Sequence, residues 1–482
     1  MESYGHRKVF WSSVSVNLMA LITGIGYSWS SPCIPKLNGS VDSDRNPLGR
    51  PATLQEISWI TSLHALGSLC GPLFTGVVSR KLGKKLTLII FSIPQVASSI
   101  ILIFAYNVTH FYISRFLLGI GTGCVFSVIP SYIGEISPTY MRGRTSMLNS
   151  VLLTAGQTLV LIIGPFVTIR TIAVMTLLVS IVFLFTCVCY VPESPYFYIM
   201  NGKIEEAKKT LSSWGRRESL DKELLEITTI CEQSATEQSF KALFSLKILK
   251  KCLVISLGLV TLQSLVGNPA IVAYQQTIID TSKNNYISGD TSVMIISIMQ
   301  LIGTYLSTGL VDKWGRKQLL FVSYVGLLIS LAGLGAYFYF FNLQYNLDSF
   351  FWVPFASVLT YIVFYKVGAG PLPWTLSGEI FPPSFKPLLS TLTALVMTTV
   401  NFLVTLVFPY MSVYLGMAWS MWIFAAFSVF SLFYIALYLP ETKGKSLVEI
   451  QRMLLEGRKR NFEFIGEQLI SLEEQKLNSF DP

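Results

Sequence analysis

The sequence predicts an all-α integral membrane protein with twelve transmembrane helices in two six-helix halves, and three observations predict it. The first is composition: 52% of the 482 residues are apolar and only 13% are charged, whereas soluble domains carry about 25% charged residues. The second is a series of apolar runs long enough to cross a bilayer. The third is a set of short motifs that recurs in the second half of the chain. This composition excludes a soluble multidomain enzyme, a disordered chain and a disulfide scaffold.

Twelve runs have the length of about 20 apolar residues that a helix needs to span the hydrocarbon core. They do not alternate polar with apolar residues, as the shorter strands of a membrane barrel would. The runs of the first half are Phe10–Ser31, Ile57–Val78, Leu86–Tyr106, Phe111–Ile133, Ser146–Val167 and Thr171–Val191. Those of the second half are Cys252–Ile279, Thr291–Val311, Gln318–Phe341, Phe350–Gly378, Pro387–Tyr410 and Leu415–Leu439.

The distribution of Lys and Arg predicts that both termini are cytoplasmic, because cytoplasmic loops carry the basic excess of a membrane protein. The net charge is +9. The predicted external loops hold only Lys36, Arg45, Arg50, Arg170 and Lys283. The first run is too long for a signal peptide and lacks a cleavage pattern, so we interpret it as a retained helix. Asn38-Gly39-Ser40, in the first external loop, is a predicted N-glycosylation acceptor.

A polar segment divides the chain into its two halves. Residues 1–191 form the predicted N-terminal half, 252–440 the C-terminal half and 441–482 a cytoplasmic tail. The segment between the halves, 192–251, is rich in Lys and Glu. Its stretches Ile204–Leu211 and Leu220–Ile230 have the pattern of short amphipathic surface helices.

Three motifs in the predicted cytoplasmic turns recur in the same order in both halves. They are Lys81-Leu82-Gly83-Lys84-Lys85 with Lys313-Trp314-Gly315-Arg316-Lys317, Glu135-x-x-Pro138-x-x-x-Arg142 with Glu379-x-x-Pro382-x-x-x-Lys386, and Pro192-Glu193-Ser194 with Pro440-Glu441-Thr442. A duplicated six-helix unit is typical of a transporter whose halves rock about a site at the membrane midplane. The acidic and basic residues of these turns would then form a latch that opens and closes. The alternative is that they only set topology.

Polar residues near the middle of the runs predict the substrate site, because polar groups in lipid are costly and usually face a cavity. They are Ser150, Gln157, Gln263, Ser264, Asn268, Gln300, Lys366 and Asn401, with Trp374 beside a Gly/Pro break. Amides and hydroxyls next to an aromatic face suit a neutral polyhydroxy ligand such as a hexose. The alternative is that these side chains only join helices through hydrogen bonds.

From about residue 10 to 455, the chain resembles the sugar porters of the major facilitator superfamily, in particular the facilitated trehalose transporter-like branch of insects. The motifs that carry the resemblance are Gly26-Tyr27-Ser28-Trp29-Ser30-Ser31-Pro32, Ser58-Trp59-Ile60-x-Ser62, Arg115-x-x-x-Gly119-x-x-x-Gly123, Pro130-x-Tyr132-x-x-Glu135-x-x-Pro138-x-x-x-Arg142-Gly143, Pro192-Glu193-Ser194-Pro195, Asp312-Lys313-x-Gly315-Arg316-Lys317, Gly370-Pro371-x-Pro373-Trp374 and Pro440-Glu441-Thr442-Lys443-Gly444. The resemblance implies the major facilitator fold and transport of a sugar such as trehalose or a hexose by alternating access. It also implies a monomeric carrier of the plasma membrane.

The resemblance assigns roles to individual residues. It implies sugar contacts for Gln263, Gln300, Trp374 and Asn401. Together with the recurring turns, it implies the following latch residues: Arg115, Glu135, Arg142, Glu193, Asp312, Arg316, Glu379, Lys386 and Glu441. Arg80 and Tyr196 depart from the family pattern in the first half, so we expect weaker closure on the inward side.

Within the predicted site, four positions also depart from the family's pattern. Ser264 replaces a Gln, Pro269 replaces an Asn that shifts to Asn268, and Ser150 replaces the Gln of the fifth helix. Lys366 stands where trehalose-like members carry a small polar residue. These departures weaken the assignment of a sugar as the substrate.

Proton coupling is not expected, because it needs a membrane-embedded acid and all 27 Asp and Glu residues fall in loops or at the ends of the runs. Ser28 stands where proton-coupled relatives carry Asp, and we interpret His64 as a structural residue. The sequence therefore predicts a facilitator. Arg115 and Lys366 are the only cations within the runs. Lys366 is either a carbonyl-bonded structural residue or, with Arg115, part of a cationic cavity for an anionic substrate.

Two other functions remain open at this point. One is a carrier for an organic anion or another small solute, and the other is a non-transporting membrane sensor with the same fold. No enzyme, metal site, cofactor or nucleic-acid partner is predicted, because three His and loop carboxylates supply no nucleophile, metal cluster or phosphate loop.

Overall fold

The computed structural model describes residues 2–39, 46–138, 141–214, 224–225, 227–229, 247–282, 288–381, 385–443, 449 and 453. The described residues are helical apart from turns and short connections, and none of them forms a strand. The fold is all-α, as the sequence predicts.

Twelve helical spans follow one another along the chain. In the first half they are α1 (Glu2–Ser28 continued by Ser30–Leu37), α2 (Leu54–Ser68 and Cys70–Leu82), α3 (Lys84–Ile103), α4 (Val108–Ser127 and Ile129–Ile136), α5 (Arg142–Ile163) and α6 (Ile169–Tyr190). In the second half they are α7 (Lys247–Leu265, Asn268–Ala273 and Gln275–Asp280), α8 (Gly289–Lys313), α9 (Arg316–Asn342), α10 (Val353–Phe364, a π-turn Tyr365–Ala369 and Leu372–Ile380), α11 (Lys386–Tyr410 and a π-turn Met411–Leu415) and α12 (Met417–Tyr438).

Of the described helices, 11 are long and apolar enough to cross a membrane. The exception among the twelve spans is α8, which has 25 residues and lies at the predicted eighth position. Its length suffices for a span, although the side chains at its linker-side end, 310–313, lie outside the described residues. Its side chains Ile298, Ile302 and Leu306 are exposed on the surface of the bundle, as expected of a span with one face toward lipid.

The first and fourth spans of each half are interrupted, and so is α2, at Leu69. α1 breaks at Trp29, α4 at Val128, α7 at Val266–Gly267, and α10 at its π-turn. Gly267 has φ +90°, and a Cβ there would lie 2.4 Å from the ring of Phe424, so only glycine fits this turn. Interrupted spans are tolerated in a membrane where they line a cavity.

Different pairs of helices make the contacts within each half and the contacts between the halves. α1 packs against α5, α2 against α4, and α9 against α12. The two halves meet mainly along two pairs of helices, α5 with α8 and α2 with α11, and α1 also contacts α7. Thr158 Oγ1 donates a hydrogen bond to Ser297 O at 3.0 Å across the first pair. A space is therefore left between the halves where other spans face each other.

Two short helices, Pro195–Met200 and Ile204–Ser213, follow α6 at one end of the bundle, here called the linker side. The second of them matches the predicted amphipathic helix at Ile204–Leu211. Most of the other predicted stretch, Leu220–Ile230, lies outside the described residues.

Lys36 corrects the sequence analysis, which placed it in an external loop. α1 continues to Leu37, so Lys36 is helical and only 2% exposed. Its ammonium donates hydrogen bonds to the carbonyls of Gly164 and Val167, where α5 ends and leaves acceptors unpaired. Lys36 is thus a buried cation within a span, as is Arg115.

Candidate functional site

A cavity of about 1340 Å³ lies between the two halves and extends from the middle of the bundle to the linker side. Seven of the predicted binding residues line it: Ser150, Gln157, Gln263, Asn268, Lys366, Trp374 and Asn401. On the opposite side the halves contact each other. Ser58 Oγ donates to Leu406 O at 2.5 Å, and the Gln276 N–H donates to Ser31 Oγ at 3.1 Å. The structure therefore has one open side, the linker side.

Gln263, on α7, is held against the interruption of α10. Its Nε2 donates to Gly370 O at 2.8 Å and to the hydroxyl of Tyr365 at 3.2 Å. This carbonyl lies between the π-turn Tyr365–Ala369 and the helix that starts at Leu372, where the regular helical hydrogen bonds are interrupted. The other polar atom, Gln263 Oε1, has no hydrogen-bond partner among the described residues. One half of this amide thus stabilises the broken helix, and the other half is an unused acceptor.

A second cluster of amides joins α5, α8 and α10. Gln157 Oε1 accepts hydrogen bonds from Gln300 Nε2 and from the Lys366 ammonium, the latter at 3.2 Å. Gln300 is fully buried and lies outside the cavity lining, behind Gln157. It therefore positions Gln157 and does not face the cavity, whereas the resemblance implied a direct contact between Gln300 and the sugar.

The structure adds lining residues that the sequence analysis missed. Tyr365, Thr154, Thr304 and Asn149 all line the cavity. Thr154 Oγ1 and Thr304 Oγ1 lie 3.3 Å apart, across the contact between the halves. Thr154 precedes Gln157 by one helical turn, so the face that carries Ser150 and Gln157 could have indicated it.

Arg115 lies away from the linker side, so its assignment to the latch is wrong. It is 2% exposed near the start of α4. Its guanidinium donates to Gly26 O at 2.9 Å and to Ile60 O at 3.2 Å, and it stands 4.9 Å from the centre of the Trp29 ring. These acceptors are neutral and belong to α1 and α2. Arg115 therefore ties three spans of one half together at the break in α1.

In the first half, two latch carboxylates hold the linker-side turn between α2 and α3. The carboxylate of Glu193 accepts hydrogen bonds from the backbone N–H groups of Lys84 at 2.9 Å and Lys85 at 3.1 Å, at the start of α3. Burial raises the pKa of Glu193, while these backbone N–H groups lower it. Gly83, with φ +87°, leaves the space that the carboxylate occupies. Glu135 pairs with Lys84 and accepts a hydrogen bond from Ser194 Oγ.

The second half repeats this arrangement. Glu441 accepts from the N–H groups of Arg316 at 3.0 Å and Lys317 at 3.1 Å, at the start of α9. Glu379 pairs with Arg316 at 3.4 Å and accepts from Thr442 Oγ1 at 2.6 Å. The recurring motifs thus build the same network twice, in which carboxylates occupy helix N-termini that favour negative charge.

Other parts of the predicted latch are different or lie outside the description. Among the described residues Lys386 pairs with no carboxylate, so Glu379 pairs with Arg316 instead of with Lys386. The side chains of Arg142 and Asp312 are outside the described residues. Arg80 and Tyr196 line the linker-side mouth of the cavity, and weaker closure there stays a prediction.

Replacing Glu193 by alanine is expected to destabilise the first half by about 1–3 kcal/mol, because partly buried N–H groups at the start of α3 lose their acceptor. Thermal unfolding of the purified protein in detergent should show a lower Tm. The matched control is Glu205→Ala, on the helix Ile204–Ser213, where a carboxylate with 82% exposure pairs with Lys208 at 3.6 Å. Exposed pairs contribute little, so its Tm should stay at the wild-type value. Equal Tm values for Glu193→Ala and Glu205→Ala would contradict the capping role.

The family comparison decides what kind of protein this is. The model of the family described as "Sugar (and other) transporter" matches residues 16–454. The chain belongs to this family. The transporter is therefore a membrane carrier and not an enzyme, as the motifs predict.

Relatives and solved structures agree with the family. The transporter is 29% identical over 453 residues to the facilitated trehalose transporter Tret1 of Bombyx mori, covering 93% of this chain and 87% of that protein. It is 30% identical over 462 residues to Tret1 of Drosophila willistoni, covering 94% of this chain and 52% of the relative. The chain thus spans about half the length of the Drosophila protein.

Solved structures show the same fold. The xylose transporter XylE from E. coli, in a partially occluded inward-open conformation, has a TM-score of 0.76 and 23% identity, covering 92% of this chain and 100% of that chain. The proton:xylose symporter XylE bound to 6-bromo-6-deoxy-D-glucose has a TM-score of 0.74 and 22% identity, covering 94% and 100%. The major facilitator fold predicted from the motifs is confirmed.

Proposed function

We propose that the transporter carries a sugar, such as trehalose or a hexose, by facilitated alternating access. The observation that carries this proposal is the set of neutral hydrogen-bonding side chains around Trp374 in the cavity between the halves. Amides and hydroxyls can each accept and donate to sugar hydroxyls, and an aromatic face covers the apolar face of a sugar ring. The names of the Tret1 relatives support the same substrate class.

The absence of an acid in the middle of the described cavity supports passive transport. Glu135 is the one carboxylate of the described lining, and it lies at the linker side in a pair with Lys84. His64 lines the cavity, with Nε2 3.0 Å from Thr122 Oγ1 and its ring edge-on to Tyr27, and no described residue places a carboxylate against it. A proton-driven carrier needs a membrane-embedded group that exchanges its proton during the cycle. We therefore propose a uniporter.

The linker side is proposed to be cytoplasmic, with both termini on that side and the carrier in the plasma membrane. The basic turns before α3 and α9 and the segment 192–251 give this side the excess of Lys and Arg. Asn38 is exposed at the other end of α1, which fits glycosylation outside the cell. One chain supplies the whole cavity, so we propose a monomer as the transporting unit.

The test is uptake of radiolabelled trehalose, glucose and xylose into proteoliposomes that contain the purified transporter. We expect saturable uptake of at least one sugar that stops at equal concentrations inside and outside. An inwardly directed proton gradient should leave this end point unchanged. Accumulation driven by the gradient would contradict the uniporter, and the absence of uptake across the panel would contradict sugar transport.

A further inference from the structure

Lys366 brings a positive charge into the proposed sugar site. It belongs to the π-turn Tyr365–Ala369 of α10, and it lines the cavity in the middle of the bundle. It follows Tyr365, whose hydroxyl accepts from Gln263, and it shares the acceptor Gln157 Oε1 with Gln300. The ammonium therefore lies beside the amides that are proposed to bind the sugar.

The described residues leave this ammonium without an anionic partner. An ammonium has three N–H donors, and the one described acceptor of Lys366 is the neutral Gln157 Oε1 at 3.2 Å. A charge within a membrane-spanning segment is costly and usually marks a substrate path or an ion pair. Two N–H donors are thus available to something that enters the cavity.

The rest of the described lining has an excess of positive charge. Besides Lys366, the described cations that line the cavity are Arg80, Lys84, Arg115 and Lys386. The one described carboxylate, that of Glu135, is already paired with Lys84. A cavity lined by one sign of charge, with low-dielectric walls, concentrates ions of the opposite sign. The path from the linker side to Lys366 therefore favours an anion.

We propose that the site takes a sugar acid, whose ring binds the amide side chains and whose carboxylate accepts hydrogen bonds from the Lys366 ammonium. This inference rests on the proposed function and narrows its substrate class. A carboxylate carries one negative charge, which the Lys366 ammonium balances alone, whereas a phosphate monoester carries about 1.5–2 negative charges at pH 7 and needs a second cation, such as an arginine fork. The guanidinium of Arg115 already donates to carbonyls of α1 and α2, so it supplies no such fork.

The experiment compares D-glucuronate with D-glucose. The two differ only in that glucuronate carries a carboxylate where glucose carries its hydroxymethyl group. Half-saturating concentrations for uptake into proteoliposomes give the preference as a ratio. The wild type should prefer glucuronate by about tenfold or more, the size expected of a charge-assisted hydrogen bond. Lys366→Ser should bring the ratio close to one, and Lys366→Arg, which keeps the charge, should retain a preference for glucuronate.

The matched control is Lys209→Ser, which removes an exposed cation on the helix Ile204–Ser213, outside the cavity lining. It should leave the ratio within about twofold of wild type, since exposed charges act weakly through water. A wild-type ratio near one, or a ratio unchanged in Lys366→Ser, would overturn the inference. Glucose uptake without a preference for glucuronate would overturn this inference alone. Absence of uptake of both compounds, with no other sugar taken up, would overturn the proposed function as well.

Discussion

Gly123→Val is expected to prevent assembly of a stable first half. Gly123 lies where α4 crosses α2, and a Cβ there would stand 2.3 Å from Ser68 O and 2.7 Å from the Cα of Gly71. Gly67 and Gly119 approach equally closely one turn away, so the two backbones are in direct contact. Membrane helices associate largely through such close packing of small residues. Overpacking against a backbone that cannot move should cost about 3 kcal/mol or more.

Size-exclusion chromatography of a fluorescent fusion measures the fraction of monodisperse protein. We expect most of this fraction to be lost in Gly123→Val. The matched control is Gly134→Val, also on α4, where a Cβ would meet nothing within 4 Å. Gly134→Val should give a profile like that of wild type. Similar losses in both variants would show that helix propensity, and not the α2–α4 contact, sets the effect.

Gln263→Leu is expected to reduce sugar uptake by about 100-fold. The substitution removes the amide that faces the cavity and also leaves Gly370 O and the Tyr365 hydroxyl without their donor, at the interruption of α10. A site built to hydrogen-bond a substrate loses affinity steeply when a buried polar group is left unpaired. Uptake rates over a range of sugar concentrations, normalised to the amount of folded protein, measure the effect.

Gln275→Leu supplies the control for burial of a glutamine on the same span. Gln275 is fully buried in α7, lies outside the cavity lining, and neither of its side-chain polar atoms has a hydrogen-bond partner among the described residues. Its replacement by an apolar residue of similar size should keep uptake within about twofold of wild type and should not lower the Tm. Equal loss of uptake in both variants would contradict a binding role for Gln263.

The spans, the two halves and the repeated turns could be predicted from the sequence, because they depend on local composition and short motifs. Apolar runs predicted the spans because each must cross the same thickness of lipid, and the duplicated turns predicted the two halves. The motif pairs also predicted a repeated network, which Glu193 and Glu441 form with the N-termini of α3 and α9. Hydropathy alone could not place the interruptions of α4 and α7, because an interrupted span keeps its apolar composition.

Contacts between distant parts of the chain account for the errors. Lys36 follows Pro35 and was assigned to a loop, but the carbonyls of Gly164 and Val167, more than 120 residues away, accept its hydrogen bonds and allow its burial. Arg115 was assigned to the latch by resemblance, whereas its acceptors on α1 and α2 lie in the middle of the first half. Gln300 was expected in the cavity and lies behind Gln157. In each case the role depends on a partner that spacing along the chain does not reveal.

Counterflow tests the central claim, passive alternating access, most directly. Proteoliposomes are loaded with a high concentration of unlabelled sugar and diluted into a low concentration of the same sugar carrying a radiolabel, with no ion gradient. A carrier that exposes one site alternately to each side should accumulate the label transiently above its outside concentration and then release it. We predict this overshoot in the wild type and its loss in Gln263→Leu. A monotonic approach to equal concentrations in the wild type, as through an open pore, would contradict the account.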